Sequence, residues 1–92
     1  MTRNIMTGEG IKPVEAVTEF EVSGIRMFTH IDDWGDWSAT ELTCGSCVAF
    51  AEDSEQDAIE YAKAKIANVG PEKVMEKARA IIARCGVANE DA

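Results

Sequence analysis

The chain of 92 residues is poor in basic side chains, aromatic side chains and long apolar runs. Between Glu15 and Glu60 there are twelve Asp or Glu residues and a single base, Arg26, and the formal net charge is −8. Such a surface repels phosphate, which argues against binding to nucleic acid or to an anionic membrane. No apolar window approaches the roughly 18 residues that a membrane-spanning helix needs.

Features of secretion and catalysis are also missing. Met1 to Lys12 contains no apolar run of the kind found in signal peptides, and the chain has only three cysteines. We therefore expect a cytoplasmic protein, in a bacterium or a phage-infected cell, with reduced thiols. The chain has neither a Gly-rich phosphate loop nor a Gly-X-Ser-X-Gly elbow, so we expect no enzymatic activity and no cofactor.

Hydrophobic residues make up 46% of the chain, enough for one modest core. Residues 1–13 are polar and glycine-containing, and they are predicted to form a flexible N-terminal arm. Residues 14–87 are predicted to form a single α+β domain, and residues 88–92 a frayed tail.

Alternating side chains from Ala16 to Ile31 predict a β-hairpin. A two-residue turn at Ser23-Gly24 would place Glu21 opposite Arg26 on the outer face. The inner face would then hold three apolar pairs: Val22 with Ile25, Phe20 with Met27, and Ala16 with Ile31. One long strand bent at Gly24 is the alternative.

A second hairpin is predicted from Trp37–Thr43 and Cys47–Glu52, with a type II′ turn at Gly45-Ser46. Both of its faces are partly apolar, so the sequence does not decide which face is buried. The preceding segment, 32–36, is a loop by composition.

Two helices follow. Ser54 is predicted to cap the first, which runs to about Val69, and Gly70-Pro71 separates it from a second helix that ends at Gly86. The buried positions are predicted to be Ile59, Ala62, Ile66 and Val69 in the first helix, and Val74, Ala78, Ile81 and Cys85 in the second. The predicted fold is α+β: an antiparallel sheet of about four strands followed by two antiparallel helices packed on one face.

The Cys44-Gly45-Ser46-Cys47 motif could support redox chemistry or bind zinc. A redox pair needs its first thiol at a helix N-terminus, whereas this motif lies at a hairpin tip. A zinc site could be completed by Cys85 and His30. However, His30 is predicted to point with Phe28 away from the inner face, and a second closely spaced ligand pair is missing. We therefore expect no metal site, and interpret these cysteines as small apolar residues and His30 as a surface residue.

The strongest candidate for function is an acidic segment that carries both tryptophans. Aromatic residues among acids suit an interface with Arg or Lys, although Trp37 could instead cap the core. Acids near the first helix could extend the same negative patch. The predicted partner-binding residues are Asp32, Asp33, Trp34, Asp36, Trp37, Glu52, Asp53, Glu55 and Asp57.

Four sequence features between Asp36 and Ile66 carry a resemblance to known families. They are the strand Trp37-Ser38-Ala39-Thr40, the turn Thr43-Cys44-Gly45, the strand Val48-Ala49-Phe50-Ala51 and the helix start Ser54-Glu55-Gln56-Asp57-Ala58. This segment resembles small phage and mobile-element proteins and, more distantly, HicB-type antitoxin domains. Small acidic phage proteins include anti-CRISPR inhibitors, which commonly occupy cationic nucleic-acid channels.

The leading hypothesis is an acidic binding protein that engages a basic surface of a protein partner. That partner would be a nucleic-acid-binding protein, and the chain itself would bind neither nucleic acid nor membrane. One alternative is a HicB-like antitoxin domain. Another is a small zinc- or thiol-dependent protein that uses Cys44, Cys47 and Cys85.

Overall fold

A computed structural model describes residues 1–90, which contain six β-strands and two α-helices. The elements are β1 (Thr2–Thr7), β2 (Gly10–Glu15), β3 (Glu19–Val22), β4 (Ile25–Ile31), β5 (Trp37–Glu41), β6 (Cys47–Glu52), α1 (Glu55–Val69) and α2 (Pro71–Cys85). Strands β3 to β6 form one antiparallel sheet in sequence order, and β1 and β2 form a separate two-stranded sheet. This arrangement confirms the predicted α+β class with two helices.

The β3–β4 hairpin has the predicted register near its turn. Glu21 lies opposite Arg26, and the apolar pairs Val22–Ile25 and Phe20–Met27 form as expected. Ser23 and Gly24 both have positive φ, 52° and 83°, as a type I′ turn requires. The single bent strand is therefore wrong.

The predicted pairing of Ala16 with Ile31 is also wrong. The predicted register does not continue into the residues before β3. There, the Val17 amide donates to the Thr29 carbonyl and the Thr29 amide donates to the Thr18 carbonyl. Ile31 instead lies opposite Trp37 of β5 and is exposed.

The helices cover one face of the sheet, here called the front face. Ile25, Met27, Ala39, Val48 and Ala49 contribute to this core from the sheet. The contacting side chains of α1 are Ala58, Ala62 and Ile66, and the two alanines allow close approach. Ile59 is only half-buried and Val69 is exposed, so the buried stripe of α1 is rotated from the predicted one.

Helix α2 is less buried than the sequence predicts. It packs on α1 and has few contacts with the sheet. Ala78 is buried, whereas Val74 and Ile81 are half-buried and Cys85 is exposed. Both helix boundaries agree with the predicted signals: Ser54 Oγ accepts from the Asp57 amide, and α2 begins directly at Pro71.

The predicted flexible arm is a β-hairpin, and it covers the opposite face of the sheet, here called the back face. Phe28 and Leu42 project from this face, and Ile5 and Val14 of the hairpin pack over them. Arg3 is buried and its Nε lies 2.6 Å from the Glu19 carboxylate. The arm is ordered because the back face carries apolar side chains that need cover.

The predicted frayed tail is wrong for residues 88 and 89; residues 91 and 92 lie outside the described part. Ala88 and Asn89 are buried, and the Ala88 amide donates to the Thr43 carbonyl. Ala88 packs beside Gly45, where an added Cβ would lie 2.9 Å from the Ala88 Cβ atom. The tail is ordered because its polar groups pair with β1 and the β5–β6 connection.

Strands β5 and β6 are joined by the five-residue segment 42–46 rather than by a two-residue turn. The buried Glu41 carboxylate organises this connection: it accepts hydrogen bonds from the amides of Thr43 and Cys44 and from the Thr43 hydroxyl. The predicted type II′ turn is therefore wrong, because the Glu41 side chain pairs with the turn amides. Neither helix within residues 1–90 has the length and apolar character needed to cross a membrane.

Candidate functional site

The loop between β4 and β5 presents Trp34 to solvent on an ordered backbone. Asp32 Oδ1 accepts from the amides of Trp34 and Asp36, both at 2.9 Å. The Asp32 amide donates to the Asp36 carbonyl at 2.8 Å, which closes the loop. Trp34 is nevertheless 87% exposed. Asp32 thus shapes the loop, and Trp34 is the side chain that the loop displays.

The remaining predicted acids of this loop differ in their surroundings. Asp33 is exposed, and its carboxylate lies 3.2 Å from Lys12 Nζ of β2. Asp36 is half-buried. Trp37 is also half-buried and packs against the front-face core. It therefore caps the core, which was the alternative to a role in partner binding.

A second group of acidic residues lies at the end of the sheet that carries the Trp34 loop. Trp37 is opposite Glu52, so strand pairing brings the end of β6 to the start of β5. Asp53 and Asp57 are exposed there. Glu55 points inward instead, because Thr29 Oγ1 donates to its carboxylate at 2.8 Å. The exposed members of the predicted binding set are therefore Asp33, Trp34, Asp53 and Asp57.

A groove of about 400 Å³ lies beside Trp34, between strand β2 and the end of β4. His30 lines it together with Lys12 and Ile31. The expectation that His30 is a surface residue is wrong: it shares the back face with Phe28, as predicted, but the N-terminal hairpin covers that face and leaves His30 only 5% exposed. The sequence did not predict this groove, because residues 1–13 were expected to form a flexible arm rather than a hairpin that packs on the sheet.

The two ring nitrogens of His30 differ in their contacts. Nε2 lies 3.4 Å from Thr40 Oγ1, whereas Nδ1 is buried and has no hydrogen-bond partner among the described residues. Burial lowers the pKa of His30 below its usual 6.5, and the Ile31 backbone and the Asp32 carboxylate only partly offset this. The neutral imidazole therefore predominates at pH 7.

The three cysteines occupy different environments. Burial raises the pKa of the Cys44 thiol to about 12. Cys47 is an exposed residue, but its Sγ points toward the strand and donates to the Ala49 carbonyl at 2.9 Å, and partial desolvation of the sulfur raises the pKa of this thiol. Cys85 is exposed near the end of α2. Within residues 1–90, no three His, Cys, Asp or Glu side chains are grouped as metal ligands, so the candidate zinc set is not brought together.

Comparison of the chain with models of known families, with curated proteins and with solved structures finds no match. The resemblance of residues 36–66 to phage, mobile-element and HicB-type proteins therefore stays a prediction.

Proposed function

We propose that this protein is a non-enzymatic binding protein that engages a basic surface of a protein partner. The observation that carries the proposal is Trp34, an 87% exposed indole on a loop whose backbone is already ordered by Asp32. Exposed tryptophan is unfavourable in water, and it is enriched among residues that dominate binding energy. A preordered loop also loses little conformational entropy on binding.

The charge around Trp34 favours a basic partner. Asp33 lies beside it in the loop, and Asp53 and Asp57 are exposed at the same end of the sheet. Such a group attracts Lys- and Arg-rich surfaces and accelerates their association. The short-range contact of Trp34 would then slow dissociation.

Proteins that bind nucleic acid present such basic surfaces. We therefore propose a nucleic-acid-binding protein as the partner, with this chain acting as an inhibitor of the phage type, similar to anti-CRISPR proteins. The support is the acidic, Trp-bearing end together with the resemblance of residues 36–66 to small phage proteins.

The test begins with capture of a partner from a bacterial lysate, followed by binding kinetics with the purified pair. Changing Asp33, Asp53 and Asp57 to Asn should slow association and weaken its salt dependence. Trp34→Ala should mainly speed dissociation, with a loss of at least about 2 kcal/mol if it is a hot spot. Asp32 is left intact because it orders the loop.

A matched control removes the same charge elsewhere. Glu60, Glu72 and Glu76 are exposed on the helices, and their change to Gln should affect association much less. Equal effects of the two triple variants, together with an unaffected Trp34→Ala complex, would overturn the proposed function.

A further inference from the structure

A cavity of about 170 Å³ lies between the two helices and the β5–β6 connection. It is at the opposite end of strand β5 from the Trp34 loop, because segment 42–46 follows that strand and segment 32–36 precedes it. Aliphatic side chains from β6 and both helices form much of its wall: Val48, Val69, Val74, Ala78 and Ile81. A dry apolar cavity of about 150 Å³ holds a benzene ring, so this one has room for a single ring or a short branched chain.

Two lysines also line this cavity, Lys65 from α1 and Lys77 from α2. Both side chains are exposed, and neither forms an ion pair within residues 1–90, although the chain has 17 acidic residues. Lys65 Nζ donates to the Val48 carbonyl at 3.3 Å, which holds the ammonium beside the cavity wall and leaves two of its protons for a ligand. An apolar wall beside cations that lack an acidic partner suits a ligand with an apolar body and a negative charge.

The buried Glu41 carboxylate lines the same cavity, but its oxygens are already engaged. One oxygen accepts from the Thr43 amide, and the other accepts from the Thr43 hydroxyl and the Cys44 amide. The Cys44 thiol, which is also in the lining, is uncharged at pH 7 because burial raises its pKa to about 12. Two lysines against one carboxylate therefore leave the lining with a net positive charge.

We propose that this cavity binds a small organic carboxylate that carries one ring or a short branched chain. Its carboxylate pairs with Lys65 and Lys77, because each of its two oxygens can accept from one ammonium. Its apolar body packs against the aliphatic wall. The surrounding helices favour an anion, since residues 63–84 contain six Lys or Arg and only two Glu. The inference goes beyond the proposed function, because it concerns a different surface and needs no protein partner.

Three ligands with the same ring and different charges test the site: phenylacetate, phenylacetamide and phenethylamine. Phenylacetate should shift the backbone amide NMR signals of Val48, Val74 and Ala78, with a dissociation constant on the order of 1 mM. The neutral phenylacetamide should bind about tenfold more weakly, since exposed ion pairs contribute up to about fivefold each. Phenethylamine is positively charged and should leave these three signals unshifted.

Paired substitutions separate the two lysines from the general charge of the helices. Lys65→Met/Lys77→Met removes two cations but keeps most of the apolar stems, and it should weaken phenylacetate binding about tenfold. Lys63→Met/Lys73→Met is the matched control, because these lysines are exposed on the same two helices and lie outside the cavity lining. The control should change the affinity by less than about twofold at physiological salt.

Equal affinities for phenylacetate and phenylacetamide would overturn the carboxylate site, and so would equal weakening by the two lysine variants. Unshifted signals of Val48, Val74 and Ala78 at about 20 mM phenylacetate would overturn it as well. All four lysines are exposed, so both variants should melt like the wild type, and the comparison does not depend on a folding defect. Binding of a basic partner through Trp34 is measured separately, so either proposal can fail without the other.

Discussion

Asn4 and Asn89 are joined by hydrogen bonds that run in both directions across 85 positions of the chain. The Asn4 amide donates to Asn89 Oδ1 at 2.8 Å, and Asn89 Nδ2 donates to the Asn4 carbonyl at 3.0 Å. Asn89 Nδ2 also donates to the Leu42 carbonyl at 2.6 Å. One side chain therefore fastens the N-terminal hairpin, the β5–β6 connection and the C-terminal segment to one another.

Asn89→Ala should reduce the free energy of unfolding by about 1–3 kcal/mol, because it leaves buried backbone groups without partners. Urea denaturation measures the change. Asn68→Ala is the control, since Asn68 is exposed on α1 and should change stability by less than about 0.5 kcal/mol. Equal stability of the two variants would show that residues 88 and 89 are not fastened as described.

Gly45→Ala should be more destabilising than Gly24→Ala. Both glycines have positive φ, 73° and 83°, so both substitutions share a backbone cost of about 1–2 kcal/mol. A methyl group at Gly24 meets open space, whereas at Gly45 it lies 2.9 Å from the Ala88 Cβ atom. The difference between the two melting temperatures isolates the steric term, and equal losses would contradict the close packing at Gly45.

Ile66→Ala should cost about 2–5 kcal/mol, because Ile66 is fully buried in the front-face core and truncation leaves a cavity. Val69→Ala, one turn later on the same helix, should cost much less, since Val69 is 38% exposed. Denaturant titration of the two variants compares them directly. A loss of similar size at Val69 would support the buried stripe predicted from sequence, which includes both residues.

The stability of the protein should depend on His30 below pH 6.5. The unfolded chain protonates this imidazole near pH 6.5, whereas the folded protein, with its lowered pKa, does so only at lower pH. The unfolded state therefore binds the proton first, and stability falls as the pH falls below 6.5. Wild type should lose stability relative to His30→Phe on acidification, and unfolding curves at several pH values test this. A constant difference would contradict the lowered pKa.

The thiols should react in the order Cys85, Cys47, Cys44. With a pKa of about 12, only about one Cys44 thiol in ten thousand is ionised at pH 8, and the group is buried. A colourimetric thiol reagent should show one fast phase that Cys85→Ser removes. Rapid modification of Cys44 in the folded protein would contradict its burial.

Local signals made part of this fold predictable. The type I′ turn at Ser23-Gly24, the Ser54 cap and the Gly70-Pro71 boundary each depend on a few adjacent residues. Their geometry follows from backbone preferences and nearby hydrogen bonds, which the sequence carries directly. The display of Trp34 is likewise predictable, because Asp32 forms the loop from within it.

The rest depends on contacts between distant residues. Phe28 is predicted to face outward because it lies opposite the helix-covered side, yet the N-terminal hairpin covers it. His30 follows Phe28 into that layer and so becomes a buried residue beside a groove. The polar character of residues 1–13 hides the hairpin, because its apolar contribution to the back face rests mainly on Ile5 and Val14.

The pairing of Asn4 with Asn89 also has a consequence for the order of events during synthesis. The ribosome makes the β1–β2 hairpin first, but its closing partners, Ala88 and Asn89, emerge after every strand and both helices. Contacts between positions so far apart in sequence form slowly, because a long loop must close first. The back layer therefore completes only after residues 88 and 89 have been made. Until then, the hairpin over Phe28 and Leu42 is held by its other contacts, such as that of Arg3 with Glu19.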